Sequence, residues 1–194
     1  MNSAEQEKIE TLVSLAGEYL QEIQNSCGRE QLPCAKVRFP RGFINTASNA
    51  KQSIPAIGTE VQRKNASYEL LKLDVYRWLV IRTDLKGAAL SMVVKDAIAT
   101  LGNLCDWLTK EAIRGHGSKK SFIDRIDRLT QLGQINNRLA SELKWVWGMR
   151  NRTHFYGIDD SLEYKAYKTT DYNRALKAYS ELRDGLVETY GPAE

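Results

Sequence analysis

Arg150, Asn151 and His154 stand close together in the stretch WVWGMRNRTHFYGIDD, residues 145–160. Arginine stays cationic at any physiological pH and can hold a phosphoryl group through two parallel hydrogen bonds. Histidine, with a reference pKa of about 6.5, can take or give a proton near neutrality. Together they suit cleavage of RNA without a metal or other cofactor, in which the ribose 2′-hydroxyl attacks the adjacent phosphorus. Asn151 can fix the scissile group or orient the arginine. Trp145, Trp147, Phe155 and Tyr156 offer flat faces for unpaired bases, although Trp147 and Phe155 equally suit packing. Arg152 and Tyr156, with His116, Lys119 and Lys120 of the glycine-bracketed loop RGHGSKK, are the further candidates for holding substrate. That loop is not a phosphate-cradling P-loop, because the G-x-x-x-x-G-K-[ST] spacing and a preceding strand are both missing.

The spacing says how such residues would be positioned. Leu139, Leu143, Val146, Arg150 and His154 follow one another in steps of 4, 3, 4 and 4. On a helix over 136–154 both polar residues therefore continue the apolar stripe, with Cβ atoms roughly 6 Å apart. A guanidinium and an imidazole on such a stripe need partners to offset their desolvation. Arg152 is rotated away towards solvent. The competing reading is structural, since basic side chains at a helix C-terminus are favoured by the dipole alone. Asp96, on the apolar central helix, either pairs with Arg150 or faces solvent.

Charge is unevenly spread. Residues 110–155 hold ten basic residues against four acidic ones, a balance of +6 that leaves −2 for the rest of a chain whose net charge is +4. A phosphate-bearing partner fits this segment, as does an ordinary solvated helix surface. The opening MNSAEQEKIE does not resemble a signal peptide, and no uninterrupted apolar run approaches the roughly 20 residues of a membrane span. Cys27, Cys34 and Cys105 lack metal-ligand spacing, so reduced thiols and a cytoplasmic address are expected. Neither a bound metal nor a membrane partner is called for.

The elements that must carry these residues read as helices. Ile9, Leu12, Val13, Ala16, Leu20 and Ile23 recur at helical spacing, with Ser3 and Gln6 as a capping box and Gly28 as the stop. Residues 29–58 hold three of the four prolines and read as a long irregular connection or flap. A second helix is expected to bury Val61, Tyr68, Leu71, Val75, Trp78 and Leu79. A third, AALSMVVKDAIATLGNLCDWLTKEAI, is apolar on more than one side and belongs at the centre of a bundle. SFIDRIDRLTQLG follows, capped by Ser121, with Phe122, Ile126, Leu129 and Leu132 inward. The arginine–histidine helix and a last helix capped by Thr170 and ended by Gly191-Pro192 complete the chain. The expected fold is a single all-α domain over residues 1–194, an up-and-down bundle of five or six helices.

Within residues 118–156, the run SFIDRIDRLTQLGQINNRLASELKWVWGMRNRTHFY resembles the HEPN superfamily, the higher eukaryotes and prokaryotes nucleotide-binding domains. There a short helix and glycine turn lead into a long helix ending in arginine, a polar residue, a spacer and histidine. Arg150, Asn151 and His154 take those places, and His154-Phe155-Tyr156 matches the H-x-Y ending of some members that act as toxins. The spacer of three residues is shorter than the usual four to six. The resemblance implies a homodimer that brings two such motifs into one cleft, RNA as substrate, and an antitoxin protein as a possible partner. It further implies a metal-independent endoribonuclease of toxin or defence systems, with Arg150 on the phosphate and His154 in proton transfer. A member that keeps the fold only to bind nucleotide, nucleic acid or protein is the alternative.

Overall fold

The computed structural model describes residues 1–114, 121–153 and 163–193. Every regular element among them is helical: α1 (Ser3–Cys27), α2 (Ala47–Gln52), α3 (Glu60–Arg82), α4 (Gly87–Ala112), α5 (Phe122–Gln131), α6 (Asn137–Asn151) and α7 (Thr169–Tyr190). Short 3-10 turns stand at Pro33–Ala35 and Glu163–Ala166. The all-α expectation holds, with one more helix than the pattern suggested. The chain divides into two compact units, Met1–Arg41 and Gly42–Glu194.

In the first unit, α1 begins one residue earlier than its apolar pattern requires. Asn2 is the N-cap, its Oδ1 accepting from Glu5 N at 2.9 Å while the Glu5 carboxylate accepts from Asn2 N at 3.0 Å. That box replaces the expected pairing of Ser3 with Gln6. Gly28 ends the helix with φ 55°, a conformation that side chains resist. The apolar stripe is present but uncovered: Ile9, Leu12, Val13 and Leu20 are all exposed.

The second unit is built around α4. Its Val94, Ala97, Ile98, Leu101, Cys105 and Leu108 are fully buried, as all-round apolarity predicted. Neighbours α3, α5, α6 and α7 pack against it on all these sides. Each such leucine or isoleucine contributes roughly 1.5–3 kcal/mol of burial. By length and composition α4 could cross a membrane, with a mean hydropathy of 1.3 over its most apolar window. Searching for uninterrupted apolar runs misses it, because Lys95 and Asp96 punctuate the helix.

Four expectations are corrected. α3 does not bury Val61 and Tyr68, which are 67% and 55% exposed; Ala66 and Leu73 are buried instead, with Leu70, Tyr76 and Val80 packed against the core. Apolar residues occur on both sides of α3, so period alone could not choose its face. The supposed connection at 29–58 contains α2, capped by Thr46, and sends Ile54 and Ile57 into the core. Ala56 N donates to Gly191 O and Ala193 N to Ile54 O, both at 2.8 Å, fastening this segment to the end of α7. Leu132 closes α5 as its C-cap and stays 39% exposed. At the start of α7, Thr170 lies inside the helix, and Asp171 accepts from Lys168 N at 3.0 Å.

Candidate functional site

α6 starts cleanly. Asn136 Oδ1 accepts from Leu139 N at 2.8 Å, and Leu139, Leu143, Val146 and Met149 turn inward. Arg150 then continues the stripe half-buried, and Arg152 points to solvent, both as the spacing required. The helix ends at Asn151, short of the expected 154. Thr153 takes over the Arg150 carbonyl, donating from N at 3.1 Å and from Oγ1 at 2.8 Å. His154 lies outside the described residues, so its step of four from Arg150 is a sequence expectation. Tyr156, Phe155, His116, Lys119 and Lys120 lie outside them too.

Arg150 is held by amides. Its Nε donates to Asn103 Oδ1 at 3.1 Å and its Nη1 to Asn151 Oδ1 at 3.2 Å. The guanidinium carbon also lies 4.9 Å from the centre of the Trp147 ring. Asn151 therefore orients the arginine, one of the two roles expected of it. Asp96 is exposed and forms no ion pair with Arg150. Gly102 of α4 makes room for this arrangement: a β-carbon built there would lie 2.7 Å from Arg150 Cβ and 2.8 Å from its Cγ. Gly102 and Asn103 escaped sequence reasoning, because both lie some fifty positions upstream on another helix. A glycine inside an otherwise strongly apolar helix was their only signal.

Four of the other basic residues of the 110–155 segment are ion-paired. Arg138 pairs with Glu181 at 2.5 Å, Lys144 with Asp127 at 2.6 Å and Arg114 with Glu111 at 3.0 Å. Arg125 is buried, pairs with Asp106, and donates from Nε to Thr109 Oγ1 at 3.4 Å. The sequence balance of +6 is thus partly cancelled by carboxylates from outside the segment, Asp106 and Glu181 among them. Arg150 has no carboxylate partner among the described residues, and the amides that hold it orient its charge without neutralising it.

Two tryptophans are packing elements more than base platforms. Trp147 stacks on Phe122 with centroids 4.5 Å apart and planes 11° apart. Trp145 carries the Arg174 guanidinium 4.0 Å above its ring, and Arg174 in turn grips Glu142 at 2.6 and 3.1 Å. That grip holds the Glu142 carboxyl below its ordinary range.

Beside Asn103 a cleft of about 450 Å³ opens between α3 and α4, lined by Gln62, Asn65, Tyr68, Glu69, Asn103 and Trp107, with Ala66 and Leu104 as its floor. One amide thus touches both the cleft and Arg150.

Comparison with protein-family models, with curated proteins and with solved structures finds no match for this chain. The HEPN resemblance accordingly rests on the residues of the 118–156 segment.

Proposed function

We propose that the chain is a metal-independent endoribonuclease of HEPN type, a toxin or defence component acting as a homodimer. The supporting observation is Arg150: a half-buried guanidinium at the end of α6, fixed by Asn103 and Asn151 and unpaired with any described carboxylate. An arginine so held keeps its charge for an incoming anion, and phosphate is the anion whose geometry it matches bidentately. In this reading Arg150 stabilises the non-bridging oxygens while the 2′-hydroxyl attacks phosphorus and the 5′-oxygen leaves. His154 moves the proton, and Arg152 holds the strand.

A second reading has one observation in its favour. α6 stops at Asn151, and Thr153 occupies the Arg150 carbonyl. With a spacer of only three residues to His154, that arrangement also suits a non-catalytic module that binds nucleotide, nucleic acid or a protein partner.

The test is RNA cleavage by the purified protein in EDTA, beside Arg150→Ala and His154→Ala. Cleavage that leaves a 2′,3′-cyclic phosphate and disappears in both variants supports the ribonuclease. A well-folded protein that cleaves no RNA, yet binds it, moves the assignment to the binding module.

A further inference from the structure

We propose that the cleft between α3 and α4 is a base-binding subsite that selects guanine, placed to receive the base next to the phosphate held by Arg150. The proposal deepens the ribonuclease reading and rests on it for the identity of the neighbouring phosphate.

Position comes first. Asn103 lines the cleft and accepts from Arg150 Nε through Oδ1, so its Nδ2 is left to donate. A phosphate on Arg150 and a base in the cleft would then be adjacent groups of one nucleotide or of neighbouring ones. The cleft is large enough: about 450 Å³ lies within the roughly 300–1,000 Å³ of small-ligand sites.

The wall chemistry then narrows the occupant. Gln62 is committed to the fold, its Oε1 accepting from Thr59 N at 2.7 Å and its Nε2 donating to Glu111 Oε1 at 3.2 Å. Asn65 is exposed on the cleft wall, and Trp107 Nε1 is buried without a partner, behind the wall. Glu69 is ion-paired with Lys72 through Oε2, which leaves Oε1 to accept. Tyr68, 55% exposed at the rim, supplies aromatic surface of the kind that stacks on bases. A cleft with aromatic walls, two amides and a carboxylate suits a planar heterocycle with hydrogen-bonding edges. Carboxylates only accept. Guanine alone presents two adjacent donors, N1–H and the 2-amino group, and its O6 and N7 accept from the amide donors.

The experiment is calorimetric titration of the full chain with GMP, IMP, AMP and UMP, repeated on Glu69→Gln and Tyr68→Ala. GMP is expected to bind at least about tenfold more tightly than AMP or UMP, with IMP between them. Glu69→Gln is expected to remove the preference, and Tyr68→Ala to weaken all four. Equal affinity for every base, no measurable binding, or a GMP preference untouched by Glu69→Gln would overturn the proposal. The same preparations are assayed on RNA. Cleavage without base preference or nucleotide affinity would sink the subsite and leave the ribonuclease standing. Glu69-dependent GMP binding without cleavage would uphold the subsite and sink the ribonuclease.

Discussion

Gly102 on α4 meets the root of Arg150 on α6 so closely that no β-carbon fits between them: one built there would lie 2.7 Å from Arg150 Cβ. The obstructing atoms begin the arginine side chain, so they cannot swing aside as its tip could. Replacing Gly102 by alanine therefore pushes the helices apart or drives Arg150 off its two amides. Overpacking of this kind costs about 1–3 kcal/mol, against a propensity gain of about 1 kcal/mol for leaving glycine. Gly102→Ala should be destabilising by up to about 2 kcal/mol, while Gly148→Ala, with nothing within 4 Å, should be stabilising. Urea midpoints of the two variants check the pair, and a stabilised Gly102→Ala would refute the contact.

Asn103 offers a second handle on the same arginine. Its Oδ1 fixes Nε at 3.1 Å without itself being a charged group. Asn103→Ala should leave the melting temperature nearly unchanged and, on the proposed ribonuclease reading, lower the rate of RNA cleavage by about tenfold or more through misplacement of the guanidinium. Asn103→Asp, which would ion-pair Arg150, should lower it further. Cleavage rates at saturating substrate decide this, and equal rates in all three proteins would remove Asn103 from any positioning role.

Asp106 and Arg125 tie α4 to α5. Arg125 is only 7% exposed, whereas the Asp106 side chain is 38% exposed. Removing the acid takes the carboxylate from a buried cation that keeps its bond to Thr109, so Asp106→Ala should lose about 2–3 kcal/mol, less than a fully buried pair would. Adding Arg125→Met should recover most of that loss. Denaturant titration of the single and double variants gives the comparison.

Acid and alkali act on different groups. Glu142 has its pKa lowered, first by the hydrogen bond from Arg174. Its contribution is present above the unfolded value and is lost as pH falls through the lower folded value. Arg174→Gln should flatten the acid limb of a melting-temperature profile. The Cys105 thiol moves the other way, pushed up by burial from 9.0 to about 12. Its contribution is complete below the unfolded pKa and is lost as pH climbs above about 9, amounting to about 1 kcal/mol by pH ~10. Cys105→Ala should flatten that limb, and a thiol reagent should label exposed Cys34 while leaving Cys105 untouched in the folded protein.

What the sequence could disclose follows from where each signal resides. α4 was legible because a helix buried on all sides must be apolar on all sides. α5 was legible through Ser121, whose Oγ accepts from Asp124 N at 3.2 Å. Arg150 stood out because it interrupts an apolar stripe. α2 was hidden by its six-residue length and the prolines around it. The outward turn of Val61 and Tyr68 depends on which side of α3 meets α4, a tertiary choice. The cleft is the extreme case: Asn65, Glu69, Asn103 and Trp107 mean nothing until two helices bring them together.

The fastening of Ala193 to Ile54 and of Gly191 to Ala56 has a consequence for the nascent chain. Ile54, fully shielded in the finished fold, emerges from the ribosome long before the residues that seal it in place. α4 likewise awaits α7, its most extensive neighbour, through the synthesis of nearly sixty further residues. Until then the face of α4 that α7 covers stays open, although α3, α5 and α6 can already pack on its other sides. Synthesis therefore passes through a prolonged stage in which aggregation and chaperone capture compete with folding, and a slow ribosome lengthens that exposure.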